Sequence, residues 1–448
     1  MTKAGSVAAG CFAAAGLSLA IVAPAPGYDA WSWLLWGREL AGGGLDTAAG
    51  PAFKPLPVAL AVPLSALGTA APVAFVLLER AGAVLALVLA FRLARGLAGG
   101  SAAAGALGAA GVALCGGFAA YVAAGLSEGL LLALALAAAE AWRTGRPRWA
   151  LACAVGCGLL RVEAWPFLLV AGAAVWRRRP EDRGLLVAAA VLVPAAWLFP
   201  ELVGSGDPLR SGGRARVPNP GQPALADVPA VASLREAAGL VAWPFWAGAA
   251  WLAWSGARRR DAATVLPVAA GIAWIALVAL MAQAGFSGEP RYALPGAALV
   301  AIAGAAGLAR LARGGPRPAA VAGGGAVALA LAATPAAGDL RALPQRQAHQ
   351  WRLQAELATA IRAAGGRDTV LRCGRPYVGR LRGPLMAYRL GVAKRDVEPD
   401  RPPRAPGVVF RSARRRGERP SPAAPPAFLP VARAGPWLVL STCPVRAT

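Results

Sequence analysis

The chain has 448 residues, of which 57% are hydrophobic and 15% are charged, and its mean hydropathy is +0.51. Because soluble domains carry about 25% charged residues, this composition excludes an ordinary soluble enzyme. The net charge of +24 does not indicate nucleic-acid binding. Many Lys and Arg residues form short clusters between apolar runs, as they do in the cytoplasmic loops of membrane proteins.

Apolar runs near the ~20 residues needed to cross a bilayer recur along the first three quarters of the sequence. Ala and Gly dominate these runs, and such small residues let membrane helices pack closely. We predict an all-α polytopic membrane protein with about 11 transmembrane helices, followed by a small extracytoplasmic α/β domain. The transmembrane domain covers 1–336, with outer loops at 27–56 and 201–236, and the C-terminal domain covers 337–448.

The first third of the chain contains four predicted spans. Lys3 places the N-terminus in the cytoplasm, so the first span, 5–25, leads outwards. Three tryptophans in the outer loop 27–56 favour a helix that lies in the membrane interface. Residues 57–70 are apolar but contain two prolines, which favours a segment that dips into the membrane without crossing it. The next spans are predicted at 73–91, 101–120 and 123–142.

The stretch 149–176 has basic clusters on both flanks, which places both flanks in the cytoplasm. At a rise of about 1.5 Å per residue it is too short for a full transmembrane hairpin. We therefore predict two short helices that meet at 161–166, where polar residues are tolerated if they line a wet cavity. Further spans are predicted at 184–200, 238–256, 263–284, 293–312 and 318–336, which puts the C-terminus outside the cytoplasm.

The last part of the chain, 337–448, has a different pattern. Residues 345–364 are typical of an amphipathic helix. An extracytoplasmic location permits a disulfide between Cys373 and Cys443. The many arginines of this domain favour contact with anionic lipid headgroups. Short strands are predicted at 369–373, 407–410 and 437–441.

Few acidic residues occur in or beside the spans, and most of those map to the outer side of the membrane. Ionisable groups in or near a membrane are functional candidates, and this set can frame a cavity that opens to the outer leaflet. The set is Asp29, Glu39, Asp46, Glu128, Glu163, Glu201, Asp207 and Glu289.

Asp29 is the strongest catalytic candidate. It follows the first span directly and precedes an aromatic cluster, and a carboxylate in this position can act as a general base on an acceptor hydroxyl. The alternative is a capping role at the start of the interfacial helix, since Asp is a favoured N-cap residue. Both interpretations fit the residues equally well.

Two further segments carry candidates for binding a donor phosphate or substrate. Lys54 can pair with a phosphate as a point charge, or it can extend to the membrane interface as a lysine at a helix end does. Arg161 and Glu163 can contact substrate groups, or they can form an ion pair that holds the two short helices together.

Glu289, Arg291 and Tyr292 precede the span at 293–312, and they either bind phosphate or anchor the helix end. No Walker loop, dinucleotide-binding turn or hydrolase elbow occurs in a fitting context. No spacing of His, Cys, Asp and Glu supports a metal site. We therefore expect no cofactor; carboxylates such as Asp29 and Glu128 can hold a divalent metal, but the spacing does not point to one.

Four short motifs stand at the outer ends of the predicted spans: Tyr-Asp-Ala-Trp at 28–31, Phe-Lys-Pro-Leu-Pro at 53–57, Leu-Arg-Val-Glu-Ala-Trp-Pro at 160–166 and Glu-Pro-Arg-Tyr-Ala-Leu-Pro at 289–295. In this order and topology the chain resembles the GT-C class of polytopic glycosyltransferases. The particular likeness is to an actinobacterial branch of the bacterial protein-mannosyltransferase and aminoarabinose-transferase group. It covers 1–336, with the C-terminal part as an appended extracytoplasmic domain.

The resemblance implies a transferase that moves a sugar from a polyprenyl-phosphate donor to a cell-envelope glycan, lipid or protein on the outer face of the plasma membrane. The catalytic carboxylate of such enzymes maps onto Asp29. Arg161, Glu163 and Arg291 map onto positions that bind the donor phosphate or support the site. A one-step displacement would invert the anomeric centre, with Lys54 and the arginines stabilising the leaving polyprenyl phosphate.

Two other classes of function fit the same sequence. A transporter of lipid or sugar would need a path to both membrane faces and broken helices in related halves of the chain. A catalytically degenerate protein would bind a lipid-linked sugar or assemble glycan without turnover. Ala30 favours this class, because it follows Asp29 where many relatives have a second acidic residue. All three classes place the protein among membrane lipids, with no nucleic-acid partner.

Overall fold

The computed structural model describes residues 3–314, 318–398 and 401–444. The chain is mostly helical, with a small sheet near its C-terminus. The helices of the first half are α1 (Lys3–Leu19), α2 (Tyr28–Ala41), α3 (Pro55–Leu64), α4 (Ala71–Leu97), α5 (Ala102–Ala113), α6 (Phe118–Ala123), α7 (Glu128–Arg143), α8 (Pro147–Leu160) and α9 (Trp165–Arg178).

The second half continues the helical pattern and then changes to mixed structure. Its helices are α10 (Arg183–Ser205), α11 (Arg210–Ala215), α12 (Pro229–Gly239), α13 (Trp243–Arg258), α14 (Ala262–Gln283), α15 (Leu294–Gly314), α16 (Pro318–Ala363), α17 (Gly366–Arg372) and α18 (Gly383–Leu390). Its strands are β1 (Val408–Arg411), β2 (Leu429–Ala434) and β3 (Trp437–Ser441).

Several segments are long and apolar enough to cross a bilayer, as a polytopic membrane protein requires. Among the described residues these are Pro55–Leu97, Pro180–Ser205, Ala262–Gln283 and Pro290–Gly314. Shorter apolar helices cover Gly5–Leu19, Ala102–Ala113 and Pro147–Leu160. The larger number of crossings that the charge pattern predicts stays a prediction.

The centre of the bundle is built on close approach between helices, which its small residues permit. A Cβ atom at Gly304 would overlap the backbone of Phe245, and one at Gly307 would overlap that of Gly248. The backbones of α13 and α15 therefore touch along one face. Around this contact, α4, α5 and α7 bury the largest apolar cluster of the described residues.

The break predicted inside 149–176 has the expected form. Helix α8 ends at Leu160, a 3-10 turn covers Val162–Ala164, and α9 starts at Trp165. Arg161 lies between them in an extended conformation, with φ −148° and ψ 131°. The turn presents two charged side chains to the interior of the bundle.

Two expectations for the C-terminal part are wrong or incomplete. Residues 369–373 belong to helix α17 and to the residue after it, not to a strand, because Val370 is buried against the domain core as part of a helical turn. Strand β2 escaped prediction, because Pro430 and a register shift next to it interrupt its pattern. It is an edge strand of the antiparallel sheet β1-β3-β2, where proline is tolerated.

The predicted span 318–336 and the predicted amphipathic helix 345–364 form one continuous helix, α16. The domain boundary drawn at 336 therefore falls inside a helix. Leu353 and Leu357, in the second half of α16, are buried against the sheet. Cys373 and Cys443 form a disulfide that ties the end of α17 to the chain after β3.

The C-terminal domain packs directly on the first outer loop, and the two share one hydrophobic core. The ring centroids of Trp31 on α2 and Tyr388 on α18 lie 5.1 Å apart. Arg38 Nη1 donates a 2.7 Å hydrogen bond to the Tyr388 carbonyl, and Arg395 pairs with Asp46 at 2.5 Å. The outer loop is thus held between the helical bundle and the C-terminal domain.

Candidate functional site

The site begins where α2 starts. The backbone N–H of Gly27, just before the helix, donates a 2.7 Å hydrogen bond to the Ala124 carbonyl, which fixes the start of α2 against the turn before α7. Asp29 lies in the first turn of α2, where the positive end of the helix dipole favours a carboxylate. Local structure therefore stabilises the charged form of Asp29 at this position.

Asp29 forms an ion pair with Arg291. Asp29 Oδ2 lies 3.0 Å from Arg291 Nη1, and the two side chains are only 15% and 12% exposed. Arg291 Nε also contacts Glu289 Oε2 at 2.9 Å. Burial would raise the pKa of Asp29, but the charges of Arg291 and Lys54 outweigh it and hold the pKa below its ordinary value. Asp29 is therefore ionised at neutral pH.

A second and more deeply buried pair joins Arg161 to Glu128. Arg161 Nη2 lies 2.7 Å from Glu128 Oε1, while Arg291 Nη1 lies 3.9 Å from the same oxygen. The Arg161 guanidinium stacks 3.9 Å from the centroid of the Tyr292 ring. Glu163 lies further off, at 3.9 Å from Arg161 Nη1. The main partner of Arg161 is therefore Glu128 and not Glu163.

These side chains form a row of alternating charge across the site. The closest approaches join Asp29 to Arg291, Arg291 to Glu128, Glu128 to Arg161 and Arg161 to Glu163. Both arginines are therefore already neutralised by carboxylates. Such a buried network costs desolvation energy, which the attraction between its paired charges opposes.

Lys54 is the cation of this group with the fewest neutralising contacts. It precedes α3, and its Nζ donates to the Ser127 hydroxyl at 3.2 Å and lies 5.1 Å from the centre of the Trp33 ring. No carboxylate forms an ion pair with it among the described residues. Burial, followed by repulsion from Arg161, lowers the pKa of Lys54 to about 7. In its charged form this buried side chain can therefore pair with an incoming anion.

Two cavities meet at Lys54. The first, of about 230 Å³, is largely apolar and reaches Trp165, Trp197 and Met281. The second, of about 800 Å³, contains Asp29 and Arg291. The residues that line both cavities are Ala52, Lys54, Ala215, Ser287 and Tyr292. The site therefore has an apolar half and a polar half, with Lys54 and Tyr292 at their junction.

The far wall of the larger cavity comes from the second outer loop and the C-terminal domain. Arg214, Arg380, Arg414 and Arg415 line it, together with the single carboxylate of Glu236 on that side. None of these four arginines has an ion-pair partner among the residues that the structure describes. This part of the cavity is consequently basic.

The structure brings the seven residues singled out from the sequence to one end of the bundle: Asp29, Lys54, Arg161, Glu163, Glu289, Arg291 and Tyr292. Glu128 is the central residue of the network; the sequence placed it among the outer acidic residues but gave it no role in binding or catalysis. The signal was present, because an acidic residue opens an otherwise apolar span at 128–139. The arginines of the C-terminal domain gave no such signal, since only tertiary packing carries them to the cavity.

Glu128 and Asp29 do not by themselves form a metal site. No group of three or more His, Cys, Asp or Glu side chains that could hold a metal ion occurs within residues 3–314, 318–398 and 401–444. Asp29, Glu128 and Glu289 instead pair with arginines.

No protein-family model matches the chain, and no curated protein matches it at a significant level. Two crystal structures do. One is ArnT from Cupriavidus metallidurans bound to undecaprenyl phosphate, with 14% identity, TM-score 0.56, and 96% of this chain and 97% of that chain covered. The other is apo ArnT, with 13% identity, TM-score 0.55, and coverage of 98% and 99%.

The chain has a GT-C-like fold. ArnT is a GT-C glycosyltransferase, and the likeness runs over nearly the full length of both chains. The apolar helices together with this likeness place the protein in a membrane. At this level of identity the likeness establishes the fold and not the chemistry.

Proposed function

We propose that this protein is a membrane glycosyltransferase that transfers a sugar from a polyprenyl-phosphate donor to a cell-envelope acceptor on the outer face of the membrane. The observation that carries the proposal is the arrangement of Asp29 and Lys54. A half-buried carboxylate and a buried ammonium line one polar cavity, and the ammonium also borders an apolar cavity.

The two halves of the site fit the two halves of such a donor. The apolar cavity suits the first isoprene units of the lipid, and Lys54 at the junction suits its phosphate as a point charge. The sugar then lies in the larger cavity beside Asp29. The undecaprenyl phosphate bound to ArnT, whose fold this chain shares, supports a donor of this chemistry.

The arginines near Asp29 have a different proposed role from Lys54. Arg161 and Arg291 already pair with Glu128, Asp29 and Glu289. They therefore fix the orientation of the carboxylates and supply positive charge near the leaving phosphate without being its first partner.

In the proposed reaction Asp29 accepts the proton of an acceptor hydroxyl as its oxygen attacks the anomeric carbon. The bond from the anomeric carbon to the phosphate oxygen breaks, and its electron pair leaves with the polyprenyl phosphate. Lys54 stabilises the charge on that leaving group. A single displacement of this kind inverts the anomeric centre.

The acceptor we propose is anionic. Four arginines without ion-pair partners among the described residues line the outer part of the cavity, three of them from the C-terminal domain. Guanidinium groups bind phosphate and carboxylate through two parallel hydrogen bonds. An acceptor that carries such groups would be held with its hydroxyl towards Asp29.

A second candidate function is binding of a lipid-linked sugar without transfer. Its support is the Asp29–Arg291 ion pair, since a carboxylate with a lowered pKa is a weaker base. Ala30, which is buried next to Asp29, supplies no second carboxylate.

The test is a deletion strain complemented with wild-type protein or with Asp29→Asn. Mass spectrometry of its lipid-phosphate sugars and envelope glycans should show that one glycan disappears and one lipid-phosphate sugar accumulates in the deletion and Asp29→Asn strains. Full restoration by Asp29→Asn would favour the binding function. An unchanged glycan and lipid profile in the deletion strain would overturn both.

A further inference from the structure

A fully buried carboxylate outside the row of charges joins the two outer loops. Glu201, near the end of α10, has no exposed surface and accepts hydrogen bonds from three side chains. Arg210 donates to both of its oxygens at 2.7 and 2.9 Å. Thr47 Oγ1 donates at 2.6 Å, and the Ser211 hydroxyl donates as well. The acceptor capacity of the carboxylate is thus nearly filled.

One branch of this network leads to Lys54. The Ser211 hydroxyl, which donates its proton to Glu201, accepts a 2.6 Å hydrogen bond from the backbone N–H of Phe53. Arg210 adds a 2.9 Å bond to the Pro51 carbonyl. The segment before Lys54 is therefore fixed to the second outer loop, while α3 fixes the chain after it.

The other branch leads away from the site. Thr47 binds Glu201 through its hydroxyl, and its backbone N–H donates to the Gly204 carbonyl at 3.1 Å. This branch ties the two loops together but does not touch the residues next to Lys54. A variant at Thr47 therefore serves as a control, because it disturbs the contact between the loops without changing the contacts next to Lys54.

From these contacts we infer that Glu201 and Ser211 are positioning residues for Lys54, which they hold at the junction of the two cavities. The inference rests on the proposed role of Lys54 as the phosphate-binding group. Lys54 depends on such support because its Nζ has only the Ser127 hydroxyl and the Trp33 ring as polar or ring contacts among the described residues. Ser211 itself lines the apolar cavity, so the network also sets the distance between the loops there.

The experiment measures the affinity of the purified full-length protein for undecaprenyl phosphate, with undecaprenol as the uncharged reference. Lys54→Ala should weaken binding of the phosphate about 10-fold or more and leave undecaprenol binding unchanged, as the loss of a contact to a charged group predicts. Ser211→Ala should weaken binding of the phosphate about 3- to 10-fold, because the Phe53 N–H loses its acceptor.

A double-mutant cycle decides between positioning and a purely structural role. In the Lys54→Ala background, Ser211→Ala should cause no further loss of affinity. Thr47→Val, which cuts the other branch, should lower the melting temperature and leave the phosphate affinity unchanged. Ser255→Ala removes a buried hydroxyl remote from the site and serves as the matched control.

An equal loss on Ser211→Ala in both backgrounds, or no loss in either, would overturn the inference while leaving the role of Lys54 intact. If Lys54→Ala itself has no effect on phosphate affinity, the proposed phosphate site and the inference both fail. If Ser211→Ala does not fold, Ser211→Cys keeps the volume and weakens the acceptor, and the same cycle is run with it.

Discussion

The two ends of helix α7 carry similar acidic residues in different surroundings. Glu128 at one end and Glu140 at the other are 0% and 6% exposed, and both pair with arginines. At the Glu128 end the Arg161 side chain is only 4% exposed. At the Glu140 end the Arg92 and Arg143 side chains are 55% and 43% exposed.

This difference distinguishes exposed charged residues, which indicate only where a helix leaves the membrane, from buried charged residues, which can form a functional site. Arginines whose heads reach water at a helix end need no further explanation, because they lie where the membrane surface favours them. A buried arginine and carboxylate both lose hydration, and apolar residues would often be as stable in their place. We therefore expect the charge of the pair near Asp29 to serve the site and not only the stability of the fold.

The largest effect is expected from Asp29→Asn. The amide cannot accept a proton, so the initial rate of sugar transfer should fall by about 10²- to 10⁴-fold. The control is Asp182→Asn, since Asp182 is even more deeply buried than Asp29 and also pairs with arginines, Arg148 and Arg179, but at the opposite end of the bundle. Equal losses of transfer in the two variants would contradict the claim that only the end of the bundle with Asp29 holds the catalytic site.

Stability should also distinguish the two ends. Glu128→Gln leaves Arg161 buried without a full charge partner and should cost about 3–5 kcal/mol of unfolding free energy. Glu140→Gln lies on the same helix, but its arginines can turn to water, so the loss should stay within about 1 kcal/mol. Thermal unfolding in detergent measures both, and similar melting temperatures for the two variants would refute the comparison.

The pH dependence should come from Lys54. Its pKa of about 7 means that the free protein loses this positive charge as the pH rises through 7. The value of kcat/KM for the donor should then fall, by up to about tenfold per pH unit. An ordinary Asp has a pKa of about 4, and the pKa of Asp29 is lower still. Asp29 therefore stays ionised between about pH 5 and 9 and adds no step to the pH profile in that range.

A Lys54→Arg variant sharpens this test. Arginine stays charged throughout this range, so the alkaline fall in kcat/KM should move to higher pH. A fall that remains near pH 7 in that variant would assign the titration to another group.

The smallest effect is expected at the mouth of the larger cavity. Replacing Arg380, Arg414 and Arg415 together by Gln should lower transfer about 3- to 10-fold, and more strongly at low salt, because exposed charges are screened. The control replaces Arg258, Arg259 and Arg260, which removes the same number of charges from the last residue of α13 and the two residues after it. If that control lowers transfer by the same factor, the arginines act through net charge and not through the acceptor.

Much of the site could be predicted because its residues stand at the ends of apolar runs. Asp29, Lys54, Arg161 and Arg291 each break the pattern of a span or begin one, and the basic clusters between spans predict a shared face for them. Their pairing could not be predicted. Only the packing of α7 places Glu128 between the two arginines.

The C-terminal part was harder to predict because tertiary packing determines its elements. The segment 369–373, which contains Thr369 and Val370, lies in helix α17 and the residue after it. Strand β2 carries Pro430 at the edge of the sheet. The length of α16 also escaped prediction, since the pattern changes from apolar to amphipathic within one helix. The packing of this domain on α2 could not be predicted either, because no sequence pattern in α2 or in the C-terminal domain indicates it.

The proposed transfer on the outer face is tested most directly by measuring on which side of the membrane each end of the helical bundle lies. In a Cys153→Ala background, a cysteine is introduced at Asp227, in the loop before α12, or at Arg146, between α7 and α8; both positions are exposed. With a membrane-impermeant maleimide, intact cells should label the Asp227→Cys protein, while the Arg146→Cys protein should be labelled only after lysis. The reverse pattern would place the cavity in the cytosol and contradict transfer on the outer face.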